Sequence, residues 1–181
     1  FVLSGHVYLV GGKRGSTYSA NTNYAPIQAG GGLGQWENTA NYTGTRTNLA
    51  AMAVGKNVYV IGGCNATVCY NTVQSNFVRP VGFLTTFKSG TLPQDRYGFA
   101  SAVYQGRIFI AGGTNDASGA LKTALCSTIN SADYSLGAFT NLTNLPVSAR
   151  GWVGFASNDK YLYIQKRKSG TAGRENFLPL P

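Results

Sequence analysis

Val7-Tyr-Leu-Val-Gly-Gly12, Val58-Tyr-Val-Ile-Gly-Gly63 and Ile108-Phe-Ile-Ala-Gly-Gly113 repeat one pattern along a chain of 181 residues. Each is a short apolar run that closes on a pair of glycines. A fourth stretch, Leu162-Tyr-Ile-Gln-Lys-Arg167, keeps the apolar half and lacks the glycines. Equivalent positions, counted from Gly11 to Gly62, Gly112 and Lys166, lie 51, 50 and 54 residues apart. Arg46, Arg96 and Arg150 each stand 16 residues before the first position of the pair that follows. An aromatic (Trp36, Phe87 or Phe139) precedes each arginine by 9 to 11 residues. Offsets held this constant over three units identify one supersecondary unit used repeatedly.

Working outward from the glycine pair, each unit reads as four short antiparallel strands. In the third unit the first strand covers Tyr97 to Tyr104, and the turn Gln105-Gly106-Arg107 leads into Ile108 to Ala111. The third strand spans roughly Ala124 to Asn130 and the fourth Leu136 to Thr140. The unbroken apolar second strand suits an inner strand covered on both faces. The glycines Gly11, Gly12, Gly62, Gly63, Gly112 and Gly113 permit close backbone approach and positive φ where an alanine would clash. Composition agrees. Charged residues make up only 12 %, while 24 glycines and 11 tyrosines favour strands and tight turns over helices. The expectation is an all-β chain.

A period near 50 residues with a Gly-Gly pair resembles the kelch repeat, which implies four-stranded blades of a β-propeller. The stretch Asn21-Thr22, Tyr24-Ala25-Pro26-Ile27, Leu33-Gly34-Gln35-Trp36 is similar to kelch repeats of large bacterial surface proteins, and Ile129 with Leu136-Gly137-Ala138-Phe139 echoes it. The resemblance runs to about Lys166 and implies blades near 1–45, 46–95, 96–149 and 150–168 within one partial domain, 1–181. That is about three and a half blades, an incomplete ring. The first unit has lost most of its first strand, because Phe1 aligns with Met52. The last unit is expected to hold two strands, with the tail 169–181 outside the repeat. The chain opens at Phe1 without a leader-peptide pattern, and a piece of a longer protein is expected.

Antiparallel order puts alternate connections on opposite ends of each unit. The first-to-second turns at His6, Asn57 and Asn158 are tight, whereas the connections after the glycine pairs are long and differ from one another. Varied loops on a rigid scaffold are where binding is expected, here at Lys13, Arg14, Tyr18, Asn115 and Asp116. Arg46, Arg96 and Arg150 stand near the same end and could form an anion clamp. Their fixed register instead favours a structural role, bonding backbone carbonyls within or beside their own unit.

The formal net charge is +9, partly from Lys166, Arg167 and Lys168, yet no base-reading module accompanies it, so nucleic acid is not the expected partner. No apolar run reaches the roughly 18 residues of a membrane span, so no membrane insertion is expected. Copper oxidation needs several histidines, and His6 is the only one. No metal site or cofactor is expected, and no catalytic residue is assigned. Ser131-Ala-Asp133-Tyr-Ser135 faintly resembles a sialidase Asp-box, but Asp133 reads better as a turn former.

Cys64 and Cys69 bracket four residues between strands that should pair, which puts a disulfide within reach. Cys126 is left over. The expectation is an extracellular or cell-surface recognition or scaffolding module, non-enzymatic, that meets a protein or glycan on its long-loop end. Two alternatives stand beside it. One is part of a carbohydrate-active enzyme whose catalytic residues lie in further blades, and the other an assembly subunit joined to identical copies through open edges.

Overall fold

The computed structural model describes residues 1–79 and 88–145 and, as backbone, three strands between 154 and 179. Every regular element among the described residues is a strand, and every pairing is antiparallel. The strands are β1 (Val2–Leu3), β2 (His6–Val10), β3 (Lys13–Arg14), β4 (Thr17–Tyr18), β5 (Thr22–Pro26) and β6 (Glu37–Asn38). There follow β7 (Ala50–Val54), β8 (Asn57–Ile61), β9 (Thr72–Phe77) and β10 (Lys88–Thr91). The third group is β11 (Ala100–Tyr104), β12 (Arg107–Ala111), β13 (Thr114–Asn115), β14 (Gly119–Ala120), β15 (Ala124–Thr128) and β16 (Thr140–Asn141). The chain closes with β17 (Gly154–Ser157), β18 (Tyr161–Gln165) and β19 (Phe177–Pro179).

Three four-stranded sheets result, ordered β1-β2-β5-β6, β7-β8-β9-β10 and β11-β12-β15-β16. Their tight turns follow from local chemistry. Ser4-Gly5 and Gln105-Gly106 carry positive φ at both central positions, the two-residue hairpin geometry that matches strand twist. All six repeat glycines have positive φ, from 58° to 108°. At Gly62 a Cβ would run into the Arg96 carbonyl, and at Gly63 it would crowd Thr47 and Leu49, so the next segment packs where a side chain would be.

Four strand expectations need correction. The first strand of the third sheet begins at Ala100 rather than Tyr97, which makes only an isolated bridge to Thr114. The fourth strand of the third sheet begins at Thr140, not Leu136, because Leu136 makes a single isolated bridge, with Ile129, and the segment up to Phe139 joins no ladder. For the same reason the third strand stops at Thr128 rather than Asn130. The last unit has three strands rather than two, since Phe177–Pro179 pairs with Tyr161–Tyr163 and adds β19 to β17-β18. No glycine pair or apolar periodicity announces that strand.

The core lies between sheets. Tyr8 and Tyr24 of the first sheet pack on Val58 of the second. Tyr59 and Ile61, on the opposite side of the second sheet, pack with Ile108, Ile110 and Leu125 of the third. Phe109 and Ala111 bury against Ala100, Ala124 and Leu145. Along the stack, β11 lies against both β7 and β17. The second sheet is hydrophobic on both faces and is covered on both by its neighbours, whereas the first is covered only on the face toward the second.

Candidate functional site

The loops after the glycine pairs are closed by one recurring backbone bond. Ser19 donates to the Gly12 carbonyl, Tyr70 to that of Gly63 and Leu121 to that of Gly113, at 2.9–3.0 Å. A second recurring bond ties in the next unit, with Gly12 N donating to Arg46 O and Gly63 N to Arg96 O. The arginine side chains complete the joint. Arg46, fully buried, donates Nη1 to Gly62 O at 3.0 Å and to Thr72 Oγ1 at 2.9 Å, Nε to Gly44 O at 3.0 Å, and Nη2 to Thr43 O. Its guanidinium also lies 3.7 Å from the centre of the Tyr70 ring, with Tyr42 on another side. Arg96 repeats the geometry, with Nη1 on Gly112 O at 2.8 Å and Thr123 O at 3.1 Å, and Nη2 on Thr123 Oγ1 at 2.7 Å. Each buried cation is thus matched by a carbonyl and a threonine of its own unit, and Arg46 also by the Thr43 and Gly44 carbonyls at the end of the preceding one. Neither guanidinium opens toward an anion. Burial pushes the Arg96 pKa down to about 10 and the Tyr42 phenol up to about 12. Arg150, Lys166–Lys168 and Asn158 lie outside the described residues.

On the first sheet the long loop is the ribbon β3-β4. Lys13 and Arg14 are exposed, and the Lys13 ammonium sits 4.8 Å from the centre of the half-buried Tyr18 ring. On the second it is closed by a Cys64–Cys69 disulfide, Cα–Cα 4.1 Å. Within that loop Asn65 Oδ1 accepts from Thr67 N and Val68 N, leaving Val68 at the tip, 47 % exposed. On the third sheet Asp116 is exposed, but Asn115 is not the available contact that its loop position suggested. It is 5 % exposed, takes Ala117 N and Ser118 N on Oδ1, and donates Nδ2 to Asp95 Oδ1 at 2.8 Å. Its amide is spent shaping the loop, as asparagine commonly does in turns. Asp133, by contrast, is the expected turn former, accepting from Ser135 N and Oγ.

Neighbouring loops meet. An Asp116 carboxylate oxygen and both sulfurs of the disulfide lie within 4.8 Å of one another. Joined sulfurs are not thiolates, so the trio has no cysteine ligand to offer a metal. Cys126 is unpaired and buried, and burial pushes its thiol pKa up. A separate groove of ≈ 650 Å³ opens away from these loops, between the outer strands of the second sheet and the Ile129–Phe139 connection of the third. Sequence reasoning missed it, because no motif marks two segments that meet only through packing.

No protein-family model matches the sequence, and no curated protein matches it. Among solved structures the chain is similar to that described as "Structure of YjhT", with a TM-score of 0.67 and 13 % sequence identity. The match covers 91 % of this chain and 56 % of that one, so the chain spans little more than half of its neighbour's length. At this identity the likeness concerns the fold alone.

Proposed function

We propose that the chain is a run of kelch-type propeller blades forming an incomplete ring, and that it serves as a non-enzymatic recognition or scaffolding module outside the cell. Its partner, a protein or a glycan, meets the long-loop end. Support for the blade reading comes from β11 lying between β7 and β17, a stack of sheets side by side on their first strands. The observation that carries the binding reading is the repeated Gly-carbonyl clasp, which holds three different loops rigidly on one end and presents Lys13, Arg14, Tyr18, Val68 and Asp116. Rigid loops with varied tips bind at low entropic cost. The disulfide, with no helix among the described residues long and apolar enough to cross a membrane, is compatible with a secreted or surface protein.

The test is a screen of the protein on glycan and surface-protein arrays, followed by paired substitutions. Lys13→Glu with Tyr18→Ala should reduce binding about tenfold or more, while His6→Ala on the tight-turn end leaves it unchanged. Loss only on the tight-turn end overturns the assignment. A second reading, assembly through the open sheet, is favoured by Val2 and Leu9, 60 % and 59 % exposed on one face of the first sheet. Concentration-dependent self-association abolished by Leu9→Glu would replace the first reading with this one.

A further inference from the structure

We infer that the groove between the second and third sheets is a binding site for short neutral saccharides, separate from the long-loop end. Its volume, ≈ 650 Å³, falls within the range of small-ligand sites. Aromatic and polar groups both line it. Phe77, 47 % exposed, stands on one wall, with the partly buried Tyr134 and Phe139 on the other. Asp133, Ser75 and Asn57 line it with them. Ring faces suit the C–H faces of a pyranose, and the carboxylate, amide and hydroxyls suit its hydroxyl groups. Among the described residues the lining includes no lysine or arginine, which favours a neutral ligand over a phosphate, sulfate or uronate.

One further observation makes this a built site rather than a gap. Tyr134 adopts φ 57°, rare for a bulky residue, and is held there by the Tyr59 hydroxyl donating to Tyr134 O at 2.6 Å and by Tyr134 N donating to Asn130 O at 2.8 Å. Its ring covers Gly55, where a Cβ would collide with it. The tertiary structure thus spends a strained residue to place one aromatic ring at the groove.

The experiment is saturation-transfer NMR and titration calorimetry of the whole chain with maltotetraose, cellotetraose, mannotetraose and chitotetraose, and a heparin-derived sulfated tetrasaccharide as the anionic control. At least one neutral probe should bind, with ring protons saturated. Phe77→Ala, at an exposed position, and Tyr134→Gly, which suits the positive φ, should each weaken it about tenfold with unchanged circular dichroism. Lys13→Glu with Tyr18→Ala should leave it unaltered, which separates this site from the long-loop end. Binding of no neutral probe at millimolar concentration, or only of the sulfated one, overturns the assignment, as does binding indifferent to both groove substitutions.

Discussion

In the first sheet Leu9 stands 59 % exposed, whereas Val60 and Ile110, at the same position of the same motif in the second and third sheets, are fully buried. The outer loops differ in the same way. Ile27 and Leu33 form one isolated bridge and Ile129 and Leu136 the equivalent one, yet Ile27 is 40 % exposed and Ile129 only 7 %. Ile129 and Leu136 fold onto Tyr59 and Met52 of the preceding sheet, and the first sheet has no preceding sheet among the described residues. Near-identical local sequence therefore produces different burial. What decides it is the neighbour, which is the behaviour of a stacked repeat whose stability is a sum of units and interfaces.

Three measurements would break or sharpen that contrast. The largest effect is expected at the joint between the first two sheets. Arg46→Ala removes four hydrogen bonds and leaves buried carbonyls unpaired, and should cost about 3–5 kcal/mol in urea unfolding. Arg96→Ala should cost less, because Arg96 Nε has no partner among the described residues. Equal losses would mean that the two joints are equivalent and the ring contacts of Arg46 count for little.

Next, Ile110→Ala should destabilise by about 2–5 kcal/mol, whereas Leu9→Ala should stay within about 0.5 kcal/mol. A large cost at Leu9 would show that its face is covered in solution, and the exposed-sheet description would fall. Least of the three, Cys64→Ser with Cys69→Ser should lower stability by about 2 kcal/mol in the chain-entropy account of a short closed loop. The double variant's loop should then exchange amide protons much as the unbridged Lys13–Tyr18 ribbon does. No change in midpoint or exchange would show that the Gly63–Tyr70 clasp alone closes the loop.

The repeat, the all-β class, the four-strand units and the proximity of Cys64 to Cys69 could all be read from residue spacing. These are local properties. Alternation, glycines at positive φ and short loops constrain the backbone within a few residues, whatever the rest of the chain does. The fixed offset of Arg46 and Arg96 from the glycine pairs was readable as well, since a buried guanidinium needs its carbonyls at one distance along the fold. Three features were not readable, and each depends on residues far apart in sequence. Asn115 looks like any exposed loop amide until Asp95, 20 residues earlier, takes its donors. Phe177–Pro179 carries no strand signal and pairs because β18 offers an open edge. The groove at Asn57, Phe77 and Tyr134 exists only where two sheets meet. Sequence by itself determined what each unit would become. Tertiary structure alone decided which faces are buried and where a concavity opens, because burial is a property of packed neighbours rather than of the segment that carries the side chain.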